Sequence, residues 1–130
     1  MLTRLLAAAP LLLAAALAAQ DRHPQRLLFV GEPDTPRGKA FVEFLGAKFA
    51  SVRAAKRFDD LGDLKEVDVV VLDWPQQGAG SISEWMEDPA KKAARRAPLG
   101  ERDAWTTPTV LLGSAGLNLA CVWDVRGSYG

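Results

Sequence analysis

Four residues with functional side chains come directly after apolar runs that are typical of buried strands: Glu32, Asp73, Trp74 and Ser114. In open parallel sheets, ligands bind beyond the carboxyl ends of the strands, near a switch in strand order. The sequence therefore predicts a candidate site for a small polar ligand, such as a sugar or an anion, built from these four residues.

Each of these positions also has a structural interpretation. Asp73 could form the turn before Pro75, Trp74 could pack in the core, and Ser114 could cap a helix or form a turn. Asp34, close to Glu32, could cap the helix that follows it. Both interpretations stay open at the level of sequence.

The predicted strands supply the edge on which these residues would lie. Arg26–Val30 and Val67–Leu72 are nearly continuous apolar runs, which favours strands that are buried on both faces. Thr109–Leu112 is predicted to form a further strand, Ser51–Ala55 a short one, and Ala120–Val125 the last one.

The helices are indicated by caps and spacing. Asp34 or Thr35 can cap a helix that has Pro36 at its first position. The apolar face of this helix would be formed by Phe41, Phe44, Leu45 and Phe49. Phe58, Leu61 and Leu64 predict a short helical turn, Ser81–Glu84 a capping box, and Asp88-Pro89 the start of another helix with a solvated basic face.

This order of elements predicts an α/β fold, a flavodoxin-like three-layer sandwich with a mostly parallel sheet, in a single domain over residues 21–130. The chain stops at Arg126–Gly130, beyond the last predicted strand, without a closing helix. We therefore hypothesise a domain shortened at its C-terminus, which would leave an apolar face or edge exposed.

Residues 1–20 have the three parts of a secretory signal peptide. Arg4 provides the positive charge, Leu5–Leu17 is an apolar stretch too short for a typical membrane span, and Ala16–Ala18 fits the cleavage pattern. The sequence thus predicts export to the periplasm or the extracellular space, with membrane contact only through an uncleaved signal segment.

Composition excludes several other classes. The chain has 130 residues, with 16 Lys+Arg against 16 Asp+Glu, and this balance gives no case for nucleic-acid binding. A single Cys excludes an intrachain disulfide, and a single His argues against a metal site. We expect no cofactor, a buried Cys121 in the last strand, and a His23 too close to the mature terminus to act as a base.

Phe29–Thr35, Val69–Trp74 and Val110–Ala115 together resemble a response-regulator receiver domain. That resemblance implies carboxylates that hold Mg²⁺, one of which accepts phosphate, and a hydroxyl and a Lys that clamp it. Gly31 stands where receiver domains usually have an acid, and no Lys-Pro pair follows the last strand.

A second group is similar over most of the mature chain. Arg26–Val30, the helix after Pro36, Asp68–Asp73 and Pro108–Gly116 resemble the ThuA-like and class I glutamine amidotransferase-like domains, which share the flavodoxin-like order. The turn Leu112–Gly116 lacks the Cys and the first Gly of the amidotransferase elbow, and no His follows it. The resemblance implies a fold and a ligand site at the strand ends, without a catalytic triad.

Two functions remain after this comparison. The first is a non-catalytic binding or interaction module of the cell envelope with a protein partner. The second is a ThuA-like domain that binds a small polar ligand at the strand ends. Four tryptophans are available for packing or for an interface, and we expect at least two of them to pack in the core.

Overall fold

The computed structural model describes residues 22–75 and 96–125. These ranges contain four strands, two α-helices and a short 3₁₀ turn at Arg102–Ala104. The elements in chain order are β1 (His23–Gly31), α1 (Pro36–Lys48), β2 (Phe49–Lys56), β3 (Val69–Asp73), the 3₁₀ turn, β4 (Thr109–Leu112) and α2 (Ala115–Val122).

The four strands form one all-parallel sheet in the order β2-β1-β3-β4. The central strand β1 pairs with β2 on one side and with β3 on the other, so that Leu28 lies between Arg53 and Val70. Parallel sheets are covered on both faces, and the continuous apolar runs of β1 and β3 agree with this. The predicted α/β, flavodoxin-like fold is confirmed.

Alternate residues of the strands supply two separate apolar layers. On the α1 side, Leu27, Phe29 and Val71 pack with Leu45 of the helix. On the opposite side the buried layer consists of Leu28, Val30, Val70, Leu72, Leu99, Ala115 and Leu119. The two helices thus lie on opposite faces of the sheet, which makes three layers.

The direction of the chain connections reverses at the centre of the sheet. From β1 the chain crosses through α1 to β2 at one edge, and it then moves the other way to β3 and β4. Right-handed crossovers in opposite directions lie on opposite faces of a sheet. The carboxyl ends of β1 and β3 therefore flank the switch point at which ligands bind in folds of this type.

The prediction of a last strand over Ala120–Val125 was wrong. Ala115–Val122 forms the helix α2, and Cys121 lies half-buried in it rather than in a buried strand. A short apolar run does not distinguish a strand from a buried helix by periodicity alone. The described chain accordingly has a helix after its last strand.

The predicted helical turn around Phe58, Leu61 and Leu64 is also absent from this loop. Phe58 has φ 69° and Gly62 has φ 66°, values that interrupt a right-handed helix. The Asp60 carboxylate accepts from the backbone N–H of Gly62, and the Asp63 carboxylate accepts from that of Lys65. Local aspartate turns therefore replace helical bonds here.

Some predictions fall outside the described residues: the signal peptide over residues 1–20, the helices predicted within 81–95, and the end of the chain after Val125. The other predicted strands are confirmed, with Ser51–Ala55 lying inside the longer β2. Trp74, Trp105 and Trp123 are all partly buried against the core, as expected for at least two tryptophans.

Candidate functional site

The four predicted residues lie along the carboxyl edge of the sheet. Glu32 directly follows β1, Asp73 ends β3 with Trp74 after it, and Ser114 lies between β4 and α2. Their side chains do not form one mutually hydrogen-bonded group. One contact between members of the set is a hydrogen bond from the Ser114 hydroxyl to the Trp74 carbonyl oxygen, at 3.4 Å.

Arg57 joins the two sides of the switch point. Its backbone N–H donates to the Gly31 carbonyl oxygen at 2.8 Å. This bond joins the residue after β2 to the last residue of β1. Its Nη1 donates to the Asp73 carbonyl oxygen at 3.0 Å, and its Nη2 lies 3.1 Å from Glu32 Oε1. The side chain is only 6% exposed, so this guanidinium is buried between the ends of β1 and β3.

A second arginine holds the Asp73 carboxylate. Arg37 Nε and Nη2 donate to the two carboxylate oxygens at 2.9 and 3.0 Å, which is a bidentate pair. The hydrogen bonds that Arg37 donates to Asp73, together with the negative charge of Asp73, raise the pKa of the Arg37 guanidinium above its ordinary value. The Asp73 side chain is 5% exposed, so a buried charge is neutralised by an arginine that reaches solvent.

The start of α1 fixes the position of Arg37. The Thr35 hydroxyl donates to the Glu32 carbonyl oxygen at 2.8 Å and accepts from the Gly38 N–H at 3.1 Å. Thr35, rather than Asp34, is therefore the N-cap, and Pro36 takes the first helical position as predicted. A Cβ at Gly38 would lie 2.0 Å from the Glu32 carbonyl oxygen, so glycine is required for this close approach.

Trp74 and Ser114 join the end of β3 to α2. The Trp74 carbonyl oxygen accepts from Asn118 Nδ2 at 2.8 Å as well as from Ser114. The indole packs edge-on against Phe58, with ring centroids 5.8 Å apart. Ser114 is the residue before the helix, yet its side chain makes no capping bond to the helix backbone. Both residues have a packing or linking role in this geometry.

The strand-end cluster (Glu32, Arg37, Lys56, Arg57 and Asp73) has more positive than negative side chains. Lys56 Nζ lies 3.9 Å from Glu32 Oε2, so both oxygens of this carboxylate face cations. Arg57 Nε is buried without a hydrogen-bond partner in the described structure. Carboxylates held in this way are poorly placed to bind a metal ion or to accept a proton from a substrate.

Sequence reasoning missed Arg37, Arg57 and Asn118. Arg57 follows a strand just as Glu32 and Asp73 do, so the strand-end rule applied to β2 would have found it. Arg37 lies in the first turn of α1, where a positive charge opposes the helix dipole and so needs a compensating partner. Asn118 has no comparable signal, because its partner is a backbone oxygen far away in the sequence.

No protein-family model, curated protein or solved structure matches this chain. Over residues 22–75 and 96–125, no group of three or more His, Cys, Asp or Glu side chains could hold a metal ion. No helix in those ranges is long and apolar enough to cross a bilayer. The geometry of the strand-end cluster is therefore the main guide to function.

Proposed function

We propose that this protein is a non-catalytic binding or interaction domain of the cell envelope. One observation carries the proposal: both strand-end carboxylates, Glu32 and Asp73, are held by arginines of the same chain. An enzyme that used them would need at least one carboxylate free to approach substrate.

The residues most often used for nucleophilic chemistry lie elsewhere. His23 begins β1, at the opposite edge of the sheet, where its ring packs 5.3 Å from that of Phe49. Cys121 lies near the end of α2, which starts at the carboxyl edge and is eight residues long. Cys121, His23 and the strand-end carboxylates thus lie in different parts of the fold. These residues do not form a catalytic triad at the switch point.

The interaction role has separate support from the α1 side of the sheet. Phe44 and Val110 are large apolar side chains that are 60% and 50% exposed. They line one groove together with Leu27, Val69 and Leu112. Contiguous exposed apolar surface is a mark of protein–protein or membrane interaction sites and of ligand-binding grooves.

Location in the envelope rests on the predicted signal peptide alone. Expressing the chain with its N-terminus intact and following its mass and its cellular fraction tests this part. We expect a periplasmic or secreted product that begins between Ala19 and Asp21. A full-length product retained in the cytoplasm would contradict export without bearing on the strand-end cluster.

A thermal-shift screen tests the non-catalytic part. We expect Mg²⁺, Ca²⁺, Zn²⁺, nucleotides and neutral sugars to leave the melting temperature unchanged, because the carboxylates are already neutralised. A rise of several degrees with a divalent ion that is lost in Glu32→Gln or Asp73→Asn would overturn the proposal. Lys65→Gln, in the loop after β2, is the matched control for a surface charge change.

A second candidate function is the binding of a small anion at the same edge, in keeping with the ThuA-like resemblance. The excess positive charge of the strand-end cluster favours it, since Lys56 is only loosely paired at 3.9 Å. Phosphate and chloride at matched ionic strength would separate the two functions. A phosphate-specific rise in melting temperature, lost in Lys56→Gln and kept in Lys65→Gln, would favour the anion site.

A further inference from the structure

A cavity of about 630 Å³ lies on the α2 side of the sheet. Three parts of the chain meet there: the loop after β2, the segments on either side of the 3₁₀ turn, and the end of α2. Cavities that bind small molecules commonly have volumes of about 300–1,000 Å³. This cavity is therefore large enough for a small organic ligand, and its lining is separate from the strand-end cluster.

Two tryptophans form part of the cavity wall, and a hydrogen bond holds each indole in place. Trp105 Nε1 donates to Thr109 Oγ1 at 3.0 Å, and Trp123 Nε1 donates to the Gly100 carbonyl oxygen at 2.8 Å. An indole has one N–H donor and no acceptor. Because both donors already have partners within the chain, these side chains offer a ligand the π faces of their rings.

Phe58 adds a third aromatic ring to the wall. Its backbone lies in the left-handed region, with φ 69°, a rare conformation for a bulky residue that persists where the surrounding structure holds it. The ring packs edge-on against Trp74 and is still 42% exposed. The local structure thus holds an aromatic ring at the cavity instead of burying it in the core.

The charged side chains that line the cavity are mostly acidic. Asp59, Asp60 and Glu101 contribute three carboxylates, and Arg96 contributes one guanidinium. In the part of the chain that the structure describes, no basic side chain forms an ion pair with these three carboxylates, whereas both strand-end carboxylates are paired. The cavity therefore has an excess of negative charge.

Aromatic π faces and carboxylates attract the same class of ligand. The face of an aromatic ring carries a partial negative charge, so it attracts ammonium groups, and indole does so most strongly. The carboxylates add a coulombic attraction for a cation. An anion would be repelled by both groups, and a neutral ligand would gain nothing from the excess charge.

We propose that this cavity binds an organic ammonium ion. The cationic group lies against the aromatic wall of Phe58, Trp105 and Trp123, and it faces the carboxylates of Asp60 and Glu101. The proposal goes beyond the proposed function, which concerns the strand-end cluster and the α1 side of the sheet.

A titration of the isotope-labelled full chain with choline chloride tests the site. The indole N–H signals are followed by NMR and assigned with Trp105→Phe and Trp123→Phe. The uncharged tert-butyl analogue of choline is the matched control ligand, because it has the same shape without the charge, and sodium chloride keeps the ionic strength equal.

We expect saturable shifts of the Trp105 and Trp123 signals and an affinity for choline about tenfold higher than for the uncharged analogue. Equal affinities, shifts that do not saturate, or saturable shifts confined to other residues would overturn the proposal. The divalent-ion screen contains no ammonium ligand, so failure here is distinguishable from failure of the proposed function.

Removing two carboxylates tests the charge of the cavity. Asp60→Asn with Glu101→Gln should weaken choline binding about fivefold. Asp63→Asn with Asp103→Asn is the matched control, because these residues lie outside the lining and Asp63 accepts a backbone N–H two residues ahead, as Asp60 does. We expect no change in the control. Equal affinities of the two double variants would contradict the proposal.

Two substitutions of one tryptophan test the aromatic wall. Trp105→Phe and Trp105→Leu both lose the hydrogen bond to Thr109, but only the first keeps a π face. We expect the leucine variant to bind choline about fivefold more weakly than the phenylalanine variant. Equal affinities of these two variants, with folding checked by circular dichroism, would show that the ring face does not bind the cation and would overturn the proposal.

Discussion

The two ends of the sheet both carry an arginine–aspartate pair, but their surroundings differ. At the amino end, Arg26 Nη2 lies 3.0 Å from Asp68 Oδ1, and the two side chains are 43% and 40% exposed. At the carboxyl end, the Asp73 carboxylate is almost fully buried under Arg37, and Arg57 is buried beside it. The same type of ion pair is thus exposed to solvent at the amino end and largely buried at the carboxyl end.

The difference matters because water competes for exposed ions. An exposed pair contributes little, since each partner is solvated again when the other is removed. A buried pair that loses one partner leaves an uncompensated charge or an unpaired donor in a medium of low dielectric constant. The carboxyl end, where a ligand site was expected, is therefore where we expect the fold to depend most on charged side chains.

Replacing Arg57 should produce the largest effect. Arg57→Met removes the hydrogen bond to the Asp73 carbonyl oxygen and the ion pair with Glu32, and we expect a loss of about 3 kcal/mol in unfolding free energy. Urea denaturation followed by circular dichroism measures it. Arg26→Met, at the exposed end, is the matched control and should cost much less. Equal losses would remove the distinction between the two ends.

Neutralising the aspartates should give a smaller difference in the same direction. Asp73→Asn keeps the shape of the side chain but removes the charge under Arg37, and we expect a loss of about 2 kcal/mol. Asp68→Asn should cost less, because Asp68 and Arg26 both reach solvent. Melting temperatures of the two variants provide the comparison, and a larger drop for Asp68→Asn would contradict it.

The Arg26–Asp68 pair at the amino end should make a contribution to the unfolding free energy that depends on pH in the acid range. The side-chain hydrogen bonds from Arg26, followed by its backbone N–H, lower the pKa of Asp68 below its ordinary value of 3.8. The folded state therefore binds its proton less readily than the unfolded state, and the stabilisation is present above pH 3.8 and lost as pH falls through the folded pKa.

The stability difference between wild type and Asp68→Asn should accordingly narrow as the pH is lowered below about 4. Denaturation curves of both proteins at pH values from about 2 to 7 would measure this difference, because that range spans the pKa of Asp68. A difference that stays constant over the whole range would show that the charge of Asp68 contributes nothing.

The smallest effect is expected at Lys56. Its side chain is mostly exposed and lies 3.9 Å from Glu32, so Lys56→Gln should change the unfolding free energy by less than about 0.5 kcal/mol. A loss comparable to that of Arg57→Met would mean that Glu32 is held mainly by Lys56. The urea series used for Arg57 can include this variant directly.

Much of the sheet could be predicted from its residues. The runs in β1 and β3 are continuous and rich in β-branched residues, and Pro36 marks the start of α1 one residue after its cap. These are local signals, and the structure follows them. The segment around Cys121 gave the wrong element, because an apolar run of that length suits either a helix or a strand.

The site was predicted only in its position. Chain topology brings Glu32, Asp73, Trp74 and Ser114 to one edge, and the strand-end rule captures that. Which cations reach the two carboxylates depends on the paths of α1 and of the turn after β2, which join residues 36 and 25 positions apart in the pairs with Arg37 and Arg57. Single-residue patterns carry no information on such long-range pairs.

A double-mutant cycle between Glu32 and Arg57 tests the central claim most directly. The claim is that the strand-end carboxylates are bound to the chain's own arginines, so that neither carboxylate is available to a ligand at the switch point. Glu32→Gln, Arg57→Met and the double variant are compared with wild type by urea denaturation. The account predicts a coupling energy of about 1–2 kcal/mol. A coupling energy near zero would contradict it and leave Glu32 available to a ligand.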